Sequence, residues 1–144
     1  VMAINVRGSW LLSRAVAPGM QTRSSGVILN ISSIYGNVAP DFSIYGNSGL
    51  TSPLAYGVSK AALIQMTRYL AAYWAPEIRV NCISPGGLKA GQDSEFVDRY
   101  QAKTPLGRMA GPQDLKGAVL FLCSDASAWI TGQNLIVDGG WTAI

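Results

Sequence analysis

Two short runs of apolar, β-branched residues, VILNI (27 to 31) and IRVNCI (78 to 83), flank a helical pattern roughly twenty residues long, and that order leaves few folds open. Each run is bounded by turn residues and reads as a strand buried on both faces. Between them Val58, Ala62, Met66, Tyr69 and Tyr73 mark one stripe of a helix of about five turns that Pro76 terminates. A second helical pattern carries Leu115, Ala118, Val119 and Leu122 behind Pro112, which a first turn tolerates, and LIVDGG closes the chain as a third strand with a Gly-Gly turn. Upstream, Ile4, Leu11, Leu12, Ala15 and Val16 recur at helical spacing until Pro18-Gly19, and DSEFVDRYQ predicts a short helix. Strands alternating with helices require crossover connections. The expected class is therefore α/β, about three parallel strands with flanking helices. So thin a sheet leaves VILNI with an open apolar edge, as if it were part of a larger one.

The 144 residues, 49% of them hydrophobic, can bury one core, which makes residues 1–144 a single domain or part of one. Eleven basic residues against eight acidic ones are scattered rather than clustered, which argues against nucleic acid as a partner. Histidine is absent, so the commonest general base and the commonest metal ligand are both missing and no metal site is expected. Cys82 and Cys123 each sit in an apolar run typical of buried thiols, and a reducing, cytoplasmic setting fits them. No apolar run reaches the roughly 20 residues that span a bilayer.

Tyr56 and Lys60 stand four residues apart at the start of the long helix and share one face of it. An ammonium there favours the phenolate, so the tyrosine can exchange protons in place of the missing histidine. Ser33 follows directly on the strand VILNIS, at the carboxyl end where parallel sheets bind ligands, and Pro85-Gly86-Gly87 occupies the equivalent place after the second strand. The pentapeptide SIYGN occurs twice, at 33 to 37 and 43 to 47, so Ser33 and Ser43 compete for one role. Ser33 is favoured because it leaves a strand that fixes it, whereas Ser43 lies in a loop rich in Gly, Asn, Ser and Pro. Neither Tyr35 nor Tyr45 has a lysine four residues on, and both are expected to cover the pocket.

The stretches INVRG, GVILNISSIYG, YGVSKAALIQMTRYLA, IRVNCISPGG, PLGRMAGPQDLKGAVLFLCSDAS and ITGQNLIVDGG, in this order, resemble the carboxyl-terminal part of a short-chain dehydrogenase/reductase of the non-extended kind. The resemblance implies a Rossmann-type doubly wound sheet and a catalytic tetrad. In that tetrad Tyr56 exchanges the proton at the substrate oxygen and Ser33 orients that oxygen. Lys60 bonds the nicotinamide ribose, and Asn5 supports a water-linked proton path to Lys60. It also implies NAD or NADP as cofactor, with Ile31, Tyr56, Lys60, Pro85, Gly86, Gly87 and Leu88 as cofactor-binding positions. The family's glycine-rich turn and the residue that selects NAD or NADP precede the point where this chain begins. The dinucleotide-binding half is thus expected to lie outside it. Ala90 stands where the family often has a threonine bonding the carboxamide. The loop further resembles oxidoreductases of flagellin modification and nonulosonate sugar synthesis, which implies a small carbonyl or alcohol substrate, a sugar derivative included. A 3-oxoacyl reductase is equally allowed. Family likeness also implies a homo-oligomer, with Trp74, Trp129 and Trp141 suited either to its interface or to the core. The rival expectation is a non-catalytic remnant that only mediates assembly. An extended-branch epimerase or dehydratase is disfavoured by the VDGG ending.

Overall fold

A computed structural model describes residues 1–46 and 51–144; Asn47, the last residue of the second SIYGN, lies outside the described residues. The chain opens with a wide π turn, Ala3–Gly8, that runs into helix α1 (Ser9–Thr22), followed by strand β1 (Gly26–Ile31). Helix α2 (Leu54–Tyr73) leads to β2 (Ile78–Pro85), and helices α3 (Ser94–Lys103) and α4 (Pro112–Cys123) precede β3 (Asn134–Val137). All pairing is parallel, in the order β1-β2-β3, with Ile28 opposite Val80 and Ser84 opposite Ile136.

Ala17, Leu70, Ala71, Trp74, Ile78 and Val80 form one buried cluster, which Trp10, Met20, Ile28 and Met66 extend, so α1 and α2 cover one face of the sheet. Arg79 alternates with Ile78 and Val80 and therefore emerges on the other face. There its guanidinium donates to the carbonyls of Leu122, Ser124 and Ile130 and to Ser127 Oγ, at 3.0–3.2 Å. These bonds satisfy carbonyls that the end of α4 leaves open. Among the described residues no helix is long and apolar enough to cross a membrane.

Several sequence expectations are corrected here. Helix α1 does not stop at Pro18-Gly19 but continues to Thr22; Thr22 Oγ1 and the Arg23 guanidinium donate to the Pro18 and Gly19 carbonyls, at 2.9 and 3.0 Å. Its apolar residues Leu11, Leu12 and Val16, and Ile4 in the π turn before it, are exposed, and Ser13 and Ala17 are the buried ones. In α2 the stripe of Val58, Tyr69 and Tyr73 faces outward, and the sheet side is Ser59, Leu63, Ile64, Thr67, Leu70 and Ala71. Two of those six are polar yet satisfied. Thr67 Oγ1 donates to the Leu63 carbonyl (2.8 Å) and accepts from Asn30 (2.9 Å), while Ser59 Oγ donates to the Tyr56 carbonyl (2.7 Å). Cys82 is buried as expected, but Cys123, the last residue of α4, is exposed. Trp74 stacks on Trp10 and Trp141 on Tyr100 inside the fold, whereas Trp129 is fully exposed.

Candidate active site

The end of β1 is locked to α2. Ser32 continues the ladder by donating its N–H to the Ile83 carbonyl (2.8 Å), and its hydroxyl donates to the carbonyl of Lys60 (2.7 Å). The chain then turns at Ile34–Gly36, and Ser33 caps that turn by accepting the Tyr35 N–H at 3.2 Å. Ser33 is 7% exposed, and accepting this bond leaves its own proton free to be donated elsewhere. A Cβ on Gly36 would lie 2.8 Å from the Lys60 backbone carbon, and one on Gly57 would lie 3.0 Å from the Tyr35 carbonyl oxygen. Glycine at both places lets the loop touch α2 backbone to backbone.

Tyr56 sits in the first turn of α2, its N–H on the Pro53 carbonyl (2.9 Å). One turn on, Lys60 Nζ lies 5.6 Å from the centre of the Tyr56 ring and donates to the Ile31 carbonyl at 2.9 Å. Burial lowers the Lys60 pKa from its ordinary value, because desolvation disfavours the ammonium. Asn5 does not reach Lys60 itself. Its amide donates to Ser59 Oγ (3.0 Å), and its carbonyl accepts from Ser9 Oγ (2.8 Å).

Two cavities meet the end of β1. One, of about 250 Å3, is lined by Ser33, Tyr56, Gly86, Gly87 and Leu88 together with aromatic side chains. The other, of about 470 Å3, runs along the outer edge of β1 and is lined by Asn5, Ile31 and Lys60 with apolar residues of α1. Pro85 is buried at the end of β2 and lines neither. The two glycines after it are required by their neighbours, since a Cβ on Gly87 would lie 2.7 Å from the Tyr100 ring and one on Gly86 2.9 Å from Asp138. Leu88 bridges to Ala110, and the Gln92 amide brackets the segment around Ala90, accepting from the Ala90 N–H (2.7 Å) and donating to the Leu88 carbonyl (2.8 Å).

These residues suit the nicotinamide end of a dinucleotide. Lys60 spends one of its three N–H donors on Ile31 and keeps two, and the Gly86–Leu88 backbone borders the tyrosine's cavity.

Sequence reasoning missed a relay that steadies the serine turn. Ser84 Oγ donates to Asn134 Oδ1 (2.7 Å), Asn134 Nδ2 to Asn37 Oδ1 (2.8 Å), and Asn37 Nδ2 to the Ser33 carbonyl (3.2 Å). The available signal was the Asn that ends the first SIYGN. The Ser doublet after β1 likewise marked Ser32 as an anchor.

The family model described as enoyl-(acyl carrier protein) reductase matches residues 1–142. The chain belongs to the short-chain dehydrogenase/reductase family. A short-chain dehydrogenase of Leptospira borgpetersenii, solved with bound NAD+, is 49% identical, with a TM-score of 0.92 over 99% of this chain and 55% of its own. A gluconate 5-dehydrogenase of Burkholderia cenocepacia, in complex with NADP and tartrate, is 32% identical, with a TM-score of 0.89 over 100% of this chain and 55% of its own. The 2-(S)-hydroxypropyl-CoM dehydrogenase 3 of Xanthobacter autotrophicus is 38% identical over all of this chain and 57% of its own length. This family member thus spans about half the length of the relatives it matches. Those relatives are dehydrogenases of other substrates, and the narrower likeness to flagellin-modification and nonulosonate oxidoreductases finds no support among them.

Proposed function

We propose that this chain supplies the catalytic part of an NAD(P)-dependent dehydrogenase that interconverts a secondary alcohol and a carbonyl. The observation that carries the reading is that Ser33 and Tyr56, from different elements, border one cavity while Lys60 stands behind the tyrosine. A bound nicotinamide would supply the hydride acceptor, or donor in the reverse direction, for the alcohol carbon. In alcohol oxidation the Tyr56 oxygen takes the hydroxyl proton as the carbonyl forms, and in reduction it gives that proton back. Ser33 donates its hydroxyl hydrogen to the same substrate oxygen. Lys60 holds the ribose with its remaining donors, and Asn5, reaching the same cavity as Lys60, serves a water-linked path that restores the tyrosine's proton. Ile31 takes part by fixing Lys60, and Gly86 to Leu88 form the nicotinamide wall, which Pro85 supports from the buried end of β2.

The relatives being dehydrogenases, the reading as a non-catalytic remnant is set aside. The outward stripe of Val58, Tyr69 and Tyr73 on α2 supports a homo-oligomer, and a cytoplasmic setting goes with the free thiols.

The test is Tyr56→Phe in the complete protein that carries this chain. Turnover is expected to fall roughly 10²–10⁴-fold, the usual contribution of a positioned acid or base. NADH or NADPH binding, followed by nicotinamide fluorescence, is expected to persist. Unchanged turnover would overturn the mechanism.

A further inference from the structure

The cavity that holds Ser33 and Tyr56 has a wall of one chemical kind. Tyr35, Tyr45, Phe96 and Tyr100 line it together with Ile34, Leu88 and Met109, and Gln92 adds an amide. None of the described lining residues carries a formal charge near neutral pH. Of the charges around it, Lys103 is paired with Asp41 and Arg99 with Glu95, Arg99 also donates to the Ser43 carbonyl (3.0 Å), and the Asp138 carboxylate, behind Gly86, accepts from Gly140 and Thr142; Lys89, next to Leu88, is exposed and does not line the cavity. Lys60 lines the neighbouring cavity instead.

From this wall we infer that the substrate is a small, uncharged ring alcohol or its ketone, seated against the aromatic faces and excluding anionic substrates. The inference rests on the dehydrogenase reading above. A carboxylate or phosphate entering the cavity would lose water and meet no counter-ion among the described lining residues, a penalty that disfavours it however well its ring fits. The volume, about 250 Å3, falls below the roughly 300–1,000 Å3 of pockets that bury drug-sized ligands, so a single ring fits the space better than a long acyl chain. The hydroxyls of Tyr35 and Tyr45 are bonded to each other, and burial together with that bond pushes the Tyr35 phenol well above its usual range. Tyr35 therefore stays neutral and offers hydrogen bonding without charge, which suits a second hydroxyl on the ring. The walls are held in place independently of any ligand. Tyr45 packs on Phe96 with ring centres 5.7 Å apart, Phe96 on Tyr100 at 6.0 Å, and the Tyr100 hydroxyl accepts the Gly87 N–H at 2.6 Å.

The experiment compares cyclohexanol with 4-hydroxycyclohexanecarboxylate as substrates of the complete protein with NAD+ and NADP+. In parallel, the corresponding ketones are titrated against its tryptophan fluorescence. Trp141 stacks 4.2 Å from Tyr100 and so reports on the pocket without turnover. The neutral ring is expected to be preferred at least tenfold in kcat/KM and in binding. Gln92→Lys, which places an ammonium at the rim, is expected to move that ratio at least tenfold toward the carboxylate. Equal or better use of the carboxylate by the unaltered protein, or binding of neither ring, overturns the inference. If the neutral ring binds preferentially but neither alcohol is oxidised, the pocket reading stands and the proposed reaction fails.

Discussion

The two SIYGN copies begin alike and end in different trades. In both, the isoleucine is buried, Ile34 at 2% exposure and Ile44 at 0%, and both tyrosines pack against the same cluster, their hydroxyls bonded to each other. Both copies also fold as short 3-10 turns. The serines part company. Ser33 leaves a strand whose end is pinned to α2, is buried, and borders the cavity of Tyr56. Ser43 is exposed, and its N–H and hydroxyl both donate to Asp41 Oδ1, at 2.9 and 2.7 Å. The same five letters thus build a matched pair of pocket walls, while the element that precedes each copy decides which serine can touch a substrate.

The shared half of that comparison gives the largest expected effect. Ile44→Ala and Ile34→Ala should each cost about 2–5 kcal/mol, the range for emptying a buried aliphatic site, and thermal melting of the two variants should show similar losses. If only one of them is destabilised, the copies are not equivalent supports.

The divergent half comes next. Ser33→Ala in the complete protein should lower kcat/KM about a hundredfold, in line with losing one preorganised donor to the reacting oxygen, while Ser43→Ala should stay within about threefold. A reversed order would hand the role to the second copy. A smaller effect, about tenfold, is expected for Asn37→Ala, which breaks the relay from Asn134 to the Ser33 carbonyl; a drop in kcat with stability little changed would separate positioning from folding.

The smallest effect concerns the acid limb of stability. Asp41, paired with Lys103 on α3 and bonded to Ser43, has its pKa lowered from 3.8 to about 2. A carboxylate depressed in the folded state contributes stability above its unfolded pKa and loses it as pH falls through the folded one. The second copy's tether to α3 should therefore weaken between about pH 4 and pH 2, with the Asp41→Asn variant showing a flatter profile in thermal melts across that window.

The strands, their parallel order and the Tyr56–Lys60 pair were legible in the sequence because each is a local pattern, a β-branched run or an i,i+4 spacing. The buried side of α2 was not. Ser59 and Thr67 look like solvent residues, yet each finds a hydrogen-bond partner inside, so the apolar stripe and the core side diverge. The same blindness hid the pocket walls. Phe96 and Tyr100 lie on a helix that the sequence marks only as short and polar, and they reach Tyr45 through contacts about fifty residues apart in the chain, beyond the range of any periodicity. Pro18 misled for a simpler reason: an interior proline removes its own N–H bond but does not oblige the chain to leave the helix, and Thr22 and Arg23 close the Pro18 and Gly19 carbonyls only at the later end.

The contact at Gly36 and Gly57 sets a tolerance. Serine turn and catalytic helix meet through main chain, at a spacing that a single methyl group would breach. The spacing between Ser33 and Tyr56 is consequently set by a joint made of main chain. The aromatic wall can be rebuilt to another shape, in evolution or by design, while the two hydroxyls at its floor keep their alignment.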